Sequence, residues 1–400
     1  MHVNPRYILS VIVLAQLAAI SLWFAGNAVI DGMQADLNLP DSALGPITSS
    51  VQLGFIAGTL AFALLTIADR FSPSRVFFAC AALGSLLNAG IAVLEPEYGL
   101  ILLLRFMTGF CLAGVYPVGM KIAADHFPGG LGKALGYLLG ALALGTAFPH
   151  LVRSVLADFP WQYVLITISL ISLTGGFIVL VLVPDGPFRK QAKALDLMAA
   201  YKVFKNEQFR SAAFGYFGHM WELYAFWAFV PAVLLHFYSA SGLSRPISLV
   251  AFCVIGIGGI SCVLGGYAAR KRGSARVAFM ALLFSGLCCL LSPLIFGLNE
   301  YLFTGFLLIW GFAVIADSPQ FSTLVATTAP QENTATALTI VNCIGFSVSV
   351  VSIQLLNWLT TVLEMPYVMI FLLPGPILGL WAMRCLLHRD PTRQPQLSNQ

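Results

Sequence analysis

The chain has 400 residues, 58% of them apolar and only 10% charged. Too little polar surface is left for a soluble domain of that size, and a net charge of +4 does not point to nucleic acid. Crossing the ~30 Å hydrocarbon layer takes ~20 mostly apolar residues in a helix. Twelve stretches qualify, at about 7–30, 44–67, 75–94, 99–124, 133–157, 161–183, 210–237, 246–269, 275–296, 301–324, 334–359 and 366–387.

In chain order, the first stretch is too long for a signal-peptide core and no small-residue cleavage site follows it, so it is expected to remain as a span. It carries Trp23 and Asn27. The second runs into the short basic loop 65–75, and contributes Gln52, read as interhelical glue like Asn342 of the eleventh. The fourth holds Arg105, Tyr116, Pro117 and Lys121, and the fifth is glycine-rich and ends in Pro149 and His150, the latter read as structural. The longest polar stretch follows the sixth. It predicts a linker over 184–208 between two halves, 1–183 and 209–400. The seventh stretch holds His219, Glu222, Tyr224 and Trp227, the eighth is again glycine-rich, and the tenth holds Asp317, Pro319 and Gln320. The eight cysteines show no metal-ligand spacing and read as small apolar packing residues.

Charge fixes an orientation. Cytoplasmic loops are enriched in Lys and Arg. With the N-terminus inside, seventeen of the 21 Lys and Arg fall on inner loops. They include Arg6, Arg70, Arg75, Lys133, Lys190, Lys193, Lys271, Arg276, Arg389 and Arg393. Only Arg153 and Arg245 fall outside, while Arg105 and Lys121 lie within spans. Such an imbalance needs an even number of crossings, with both termini in the cytoplasm. The chain is also repeated. Loop 65–75 recurs as 266–276, and 109–128 echoes 311–330, with Pro117 and Pro319 in matching places. Membrane chains built of two similar halves hold a site between them. A proline inside a span frees a carbonyl and bends the helix, so a shared bend is expected.

Loop 65–75 resembles the signature between the second and third helices of the major facilitator superfamily, roughly G-x-L-A-D-R-x-G-R-R-R. Ala68, Asp69, Arg70 and Arg75 match, whereas Leu65 and Ser72 replace the glycines and Pro73 and Ser74 replace two basic residues. The second copy matches at Gly266, Ala268, Lys271, Gly273 and Arg276, with Arg270 in place of the acid. Arg105 and Gly109 are similar to that family's fourth-helix motif. The resemblance implies an all-α fold of twelve transmembrane helices in two pseudo-symmetric six-helix bundles. It also implies a cavity lined by helices 1, 4, 7 and 10, and transport by alternating access. It implies a cytoplasmic gate at Asp69, Arg70 and Arg75, with Lys271 and Arg276 in the second half. The drug–proton antiporter pattern G-P-x-x-G-G is absent from the fifth stretch.

A charge at the bilayer centre costs ~2.5–3.5 kcal/mol, so each needs a reason. Arg105, Lys121, His219, Glu222 and Asp317 all fall on helices 4, 7 and 10. Each has two open roles. Glu222 is an ion-pair partner of Arg105 or Lys121, or a proton or substrate site. His219 is a packing histidine or a proton relay. Arg105 bridges helices or clamps an anion, Lys121 snorkels or lines the cavity, and Asp317 packs against Ser318 or Gln320 or supplies a cavity acid. Trp23, Asn27, Tyr116, Tyr224, Trp227 and Gln320 are expected around the solute. No P-loop, metal or catalytic motif stands in the short loops, so neither cofactor nor enzymatic activity is expected. The expectation is a monomeric transporter in the bacterial inner membrane. Its cargo is a small, anionic organic solute moved with protons. An antiport exporter of amphipathic compounds is the rival, and a membrane enzyme or receptor the alternative from another class.

Overall fold

The computed structural model describes residues 5–94, 96–127, 131–189 and 202–388. No strand occurs among them. Lys190, Lys193, Arg389 and Arg393, counted among the inner charges, lie outside the described residues, as do the side chains of Arg6 and Lys133.

Among the described residues, eleven helices are long and apolar enough to cross a bilayer, and a shorter apolar helix precedes them. The first segment is α1 (Pro5–Ile20), which breaks at 21–24 and resumes as the short helices Ala25–Ala28 and Ile30–Leu37. The first half continues with α2 (Asp41–Leu64), α3 (Pro73–Leu94), α4 (Tyr98–His126), α5 (Leu131–Val155) and α6 (Trp161–Leu182). The second half comprises α7 (Glu207–Ala240), α8 (Ile247–Arg272), α9 (Ser274–Gly297), α10 (Glu300–Thr328), α11 (Thr334–Val362) and α12 (Met365–Ala382), with a short α13 (Arg384–His388) after them. With twelve passes, the loops that carry Asp69, Arg189 and Arg272 share one face, called here the basic face.

Both bends expected at the matching prolines are present. Helix α4 is interrupted at 113–115, just before Tyr116 and Pro117, and α10 at Asp317, just before Ser318 and Pro319. Proline suits the first turn of the helix that restarts, where its missing N–H is not needed.

Within each half the helices meet by backbone approach. A Cβ on Gly109 of α4 would strike the Val51 carbonyl of α2, and one on Gly311 of α10 would strike the Val254 carbonyl of α8. The same contact is thus made twice, once per half. In lipid no hydrophobic drive joins helices, so close packing of small residues does that work. The halves meet along two lines. One is α5 against α8, where Gly140 faces Gly259 and Gly256 lies beside Leu144 and Ala147. The other is α2 against α11. Here Asn357 accepts from the Gly45 N–H at 3.2 Å and donates to Ser42 O at 3.0 Å. Gln354 donates to Ser49 Oγ at 2.8 Å, and Ser349 to Gln52 Oε1 at 2.9 Å. These ties run from the face opposite the basic one to mid-span.

Candidate functional site

The break in α1 sets the geometry of the centre. Leaving the helix at 21–24 frees backbone carbonyls that must find donors. Arg105 of α4, fully buried, supplies them. Its Nη1 donates to Leu22 O at 3.0 Å and Asn88 Oδ1 at 3.2 Å, and its Nη2 donates to Trp23 O. Asn88 of α3 donates in turn to Leu165 O and Ser169 Oγ of α6, at 3.1 and 3.0 Å. The arginine expected at the solute is therefore wired to the backbone of α1, and it fixes where Trp23 points.

Trp23 lies in a cage of aromatic rings drawn from both halves. Its ring is 4.8 Å from Phe55 of α2, 5.6 Å from Tyr224 of α7 and 5.5 Å from Phe346 of α11. Tyr224 is 5.3 Å from Trp227, which meets Phe24 edge-on at 6.4 Å. All are buried, yet the indole N–H groups of Trp23 and Trp227 have no hydrogen-bond partner among the described residues. Leaving a buried donor unpaired costs about 1–3 kcal/mol, and a ligand acceptor would relieve it. Toward the basic face, Tyr116 on α4 and Tyr216 on α7 are buried as well. Tyr216, Phe55 and Phe346 were not singled out from the sequence. Nothing but the fold distinguishes them from the chain's other aromatics.

The acids lie inside the second half. His219 Nδ1 is 2.8 Å from Asp317 Oδ1, both almost fully buried. Asp317 occupies the break in α10, where the backbone N–H groups of the restarting helix favour a negative charge. The His219 ring lies 5.9 Å from Tyr216 and 5.8 Å from Phe321, so this pair borders the tyrosines. Glu222, one turn on, turns to α9 and α10. It accepts from Trp310 Nε1 at 2.7 Å, Ser285 Oγ at 2.8 Å and Cys289 Sγ at 3.4 Å. It pairs with neither Arg105 nor Lys121.

Lys121 sits in the last turns of α4, near the basic face. Its Nζ is 2.8 Å from Asp69 Oδ1 and 3.5 Å from Asp125 Oδ1. Arg189, after α6, donates to the Asp69 and Phe71 carbonyls at 2.8 and 2.7 Å and pairs with Asp185, which accepts from Ser72. Arg70 donates only to Thr66, and Arg75 is exposed. In the second half Lys271 and Arg276 are exposed and make no ion pair among the described residues.

Two clefts indent the basic face between the halves. One, of about 240 Å³, is lined by Asp69, Pro117 and Lys121 with Thr336 and Thr339 of α11. The other, of about 300 Å³, is lined by Tyr137 of α5, Cys262 of α8, and Pro319 and Gln320 of α10. A vestibule of about 420 Å³ indents the opposite face, with Asn27, His150, Arg153 and Pro231 in its wall. Asn27 donates to Thr48 Oγ1 at 2.7 Å. The buried Asn27 Oδ1 and His150 Nε2 lack partners, so His150 borders a polar hollow that its apolar neighbours in the sequence did not announce. All eight cysteines are free.

The family model described as "Major Facilitator Superfamily" matches residues 11–353. The chain is 29% identical over 146 residues to the "Uncharacterized MFS-type transporter YybF" of Bacillus subtilis (strain 168), covering 35% of each protein. It is 28% identical over 164 residues to the "Putative niacin/nicotinamide transporter NiaP" of the same organism, covering 40% of this chain and 39% of that one. The alignments thus span little more than a third of those relatives. Among solved structures, a bacterial homologue of the human lysosomal transporter Spinster, in an inward-facing and unoccupied conformation, superposes with a TM-score of 0.77 at 14% identity, covering 99% of this chain and all of that one. The proton:xylose symporter XylE superposes at 0.74 and 15%, covering 97% of each.

Proposed function

Because the chain belongs to the major facilitator superfamily, we propose that it carries a small planar aromatic solute through alternating access, with protons as the coupling ion. The aromatic cage around Trp23 is the observation that carries this reading. Flat rings stack favourably on Trp, Tyr and Phe faces. The two unpaired indole N–H groups would donate to a carbonyl, carboxylate or ring-nitrogen lone pair. A relative named for niacin and nicotinamide, which are flat rings with such groups, supports the same class. Arg105 and Lys121 both have partners within the protein, so the argument for a negatively charged solute from membrane cations falls away. Charge is not what the cage selects.

In this reading the units 1–183 and 209–400 rock about the cage, joined by the linker 184–208. In it the basic face is cytoplasmic by the distribution of Lys and Arg, both termini lie inside, the membrane is the bacterial inner membrane, and the protein acts as a monomer. The ties between α2 and α11 then close the outer side, while the clefts beside Gln320 and Lys121 open inward. Asp69, Lys121, Arg70 and Arg75 hold the cytoplasmic gate of the first half, with Lys271 and Arg276 its weaker counterpart. His219 and Asp317 exchange the proton, because they touch each other in the α10 break and border Tyr216. Glu222 serves the interior of the second bundle.

Proteoliposomes test this. Uptake of labelled pyridine carboxylates, pyridine carboxamides and purines should exceed that of sugars. Trp23→Ala and Tyr224→Ala should each reduce it at least tenfold. Asp317→Asn should abolish proton flux while sparing solute exchange across the membrane. Uptake unaffected by both cage variants would overturn the site, and normal proton flux in Asp317→Asn would overturn the coupling.

A further inference from the structure

The second-half loop differs from its first-half copy in its balance of charge. In the first half the loop acid Asp69 holds Lys121 of α4, and Asp185 holds Arg189, while the loop's own Arg70 and Arg75 make no ion pair among the described residues. In the second half Arg270, Lys271, Arg272 and Arg276 stand together with no acid between them. Arg270 lies over the Tyr267 ring at 5.5 Å. Neither Arg272 nor Arg276 has an ion-pair partner among the described residues.

Beneath these two arginines runs a groove of about 630 Å³ between α8, α9 and α10. Arg272 and Arg276 are its only charged lining residues. Leu264, Met280, Phe284 and Ile309 line it and are exposed. Its one neutral polar side chain, Ser261, is already spent on the Phe312 carbonyl at 2.5 Å. From Arg272 to Ser261 the groove follows α8 for eleven residues, or ~16 Å at 1.5 Å per residue. That is the depth of one leaflet of a ~30 Å hydrocarbon layer.

We propose that this groove binds an anionic phospholipid, one acyl chain lying along α8 and the head-group phosphate held by Arg272 and Arg276. An apolar slot one leaflet deep, with two free guanidiniums at its headgroup end, fits both parts of such a molecule. Guanidinium forks match phosphate oxygens two at a time. A zwitterionic lipid would set its own cation against the surplus of four. The lipid would tie α8 to α9 at the turn between them, where Gly273 takes a φ of +85°.

Native mass spectrometry of the full, delipidated chain tests the assignment, with phosphatidylglycerol, cardiolipin and phosphatidylcholine as the lipids offered. The expected result is at least about tenfold preference for the anionic lipids, since each interfacial arginine contributes roughly a fivefold factor. The double variant R272Q/R276Q should lose the preference while keeping its thermal melt in detergent. Ala268→Leu, which narrows the slot, should weaken lipid of every headgroup. Equal retention of phosphatidylcholine, an unchanged preference in the double variant, or displacement of the lipid by millimolar inorganic phosphate alone would overturn the proposal.

Discussion

Arg105 reads from the sequence as a charge inside the membrane, and the default for such a residue is function. Its target is the backbone of α1, at a break that hydropathy cannot reveal because residues 21–24 are as apolar as their neighbours. Replacing it by Ala would strand the Leu22 and Trp23 carbonyls, each costing about 1–3 kcal/mol. Arg105→Ala should therefore melt well below the parent in a detergent thermal scan and lose transport with it. Arg105→Lys, with one compact ammonium in place of a fork, should recover only part of the stability. An unchanged melt for Arg105→Ala would show that water serves the break equally well. His219 and Glu222 illustrate the same limit. Their spacing correctly puts them on one side of α7, but a side is broad enough for His219 to meet Asp317 in the α10 break while Glu222 turns to Trp310 of α10 and Ser285 of α9.

At the scale of helices much was legible. A span announces itself by ~20 apolar residues, a bend by an internal proline, and a repeat by its spacing. The breaks before Pro117 and Pro319 are where the matched prolines put them. Which glycines matter was not legible, because the chain has 36 of them and only packing tells a contact from a spacer. Gly109 and Gly311 are contacts, each closed by a carbonyl on the neighbouring helix. Gly109→Ala and Gly311→Ala should each destabilise by about 1–3 kcal/mol through overpacking, measured as loss of folded protein on heating. Gly99 and Gly305, with open space around them, should tolerate alanine. Equal effects at all four positions would sink this reading.

For the whole molecule, the two lines along which the halves meet differ in kind. The α2–α11 line is tied by side-chain hydrogen bonds from Ser42 to Ser349, and the proposed alternation would require them to break. Joining Ser49→Cys to Gln354→Cys with a short bis-methanethiosulfonate crosslinker, in a background without reactive native thiols, should stop uptake. Reductant should restore it. Uptake that survives the crosslink would mean this line stays shut throughout the cycle. Orientation and helix count were readable because charge and hydropathy are properties of segments. The ties were not, since Ser49, Gln354 and Asn357 are ordinary polar residues until two distant helices bring them within reach.

Along the α5–α8 line Gly140 faces Gly259, and Leu144 of α5 packs against Gly256 and Gly259 of α8. Where the backbones approach this closely at glycine, the proposed rocking of the halves has a seam that can turn as a bearing. The swing of the halves is then largest on the far side, and bulk added at Gly140 would act as a brake, slowing turnover without altering how tightly cargo is held.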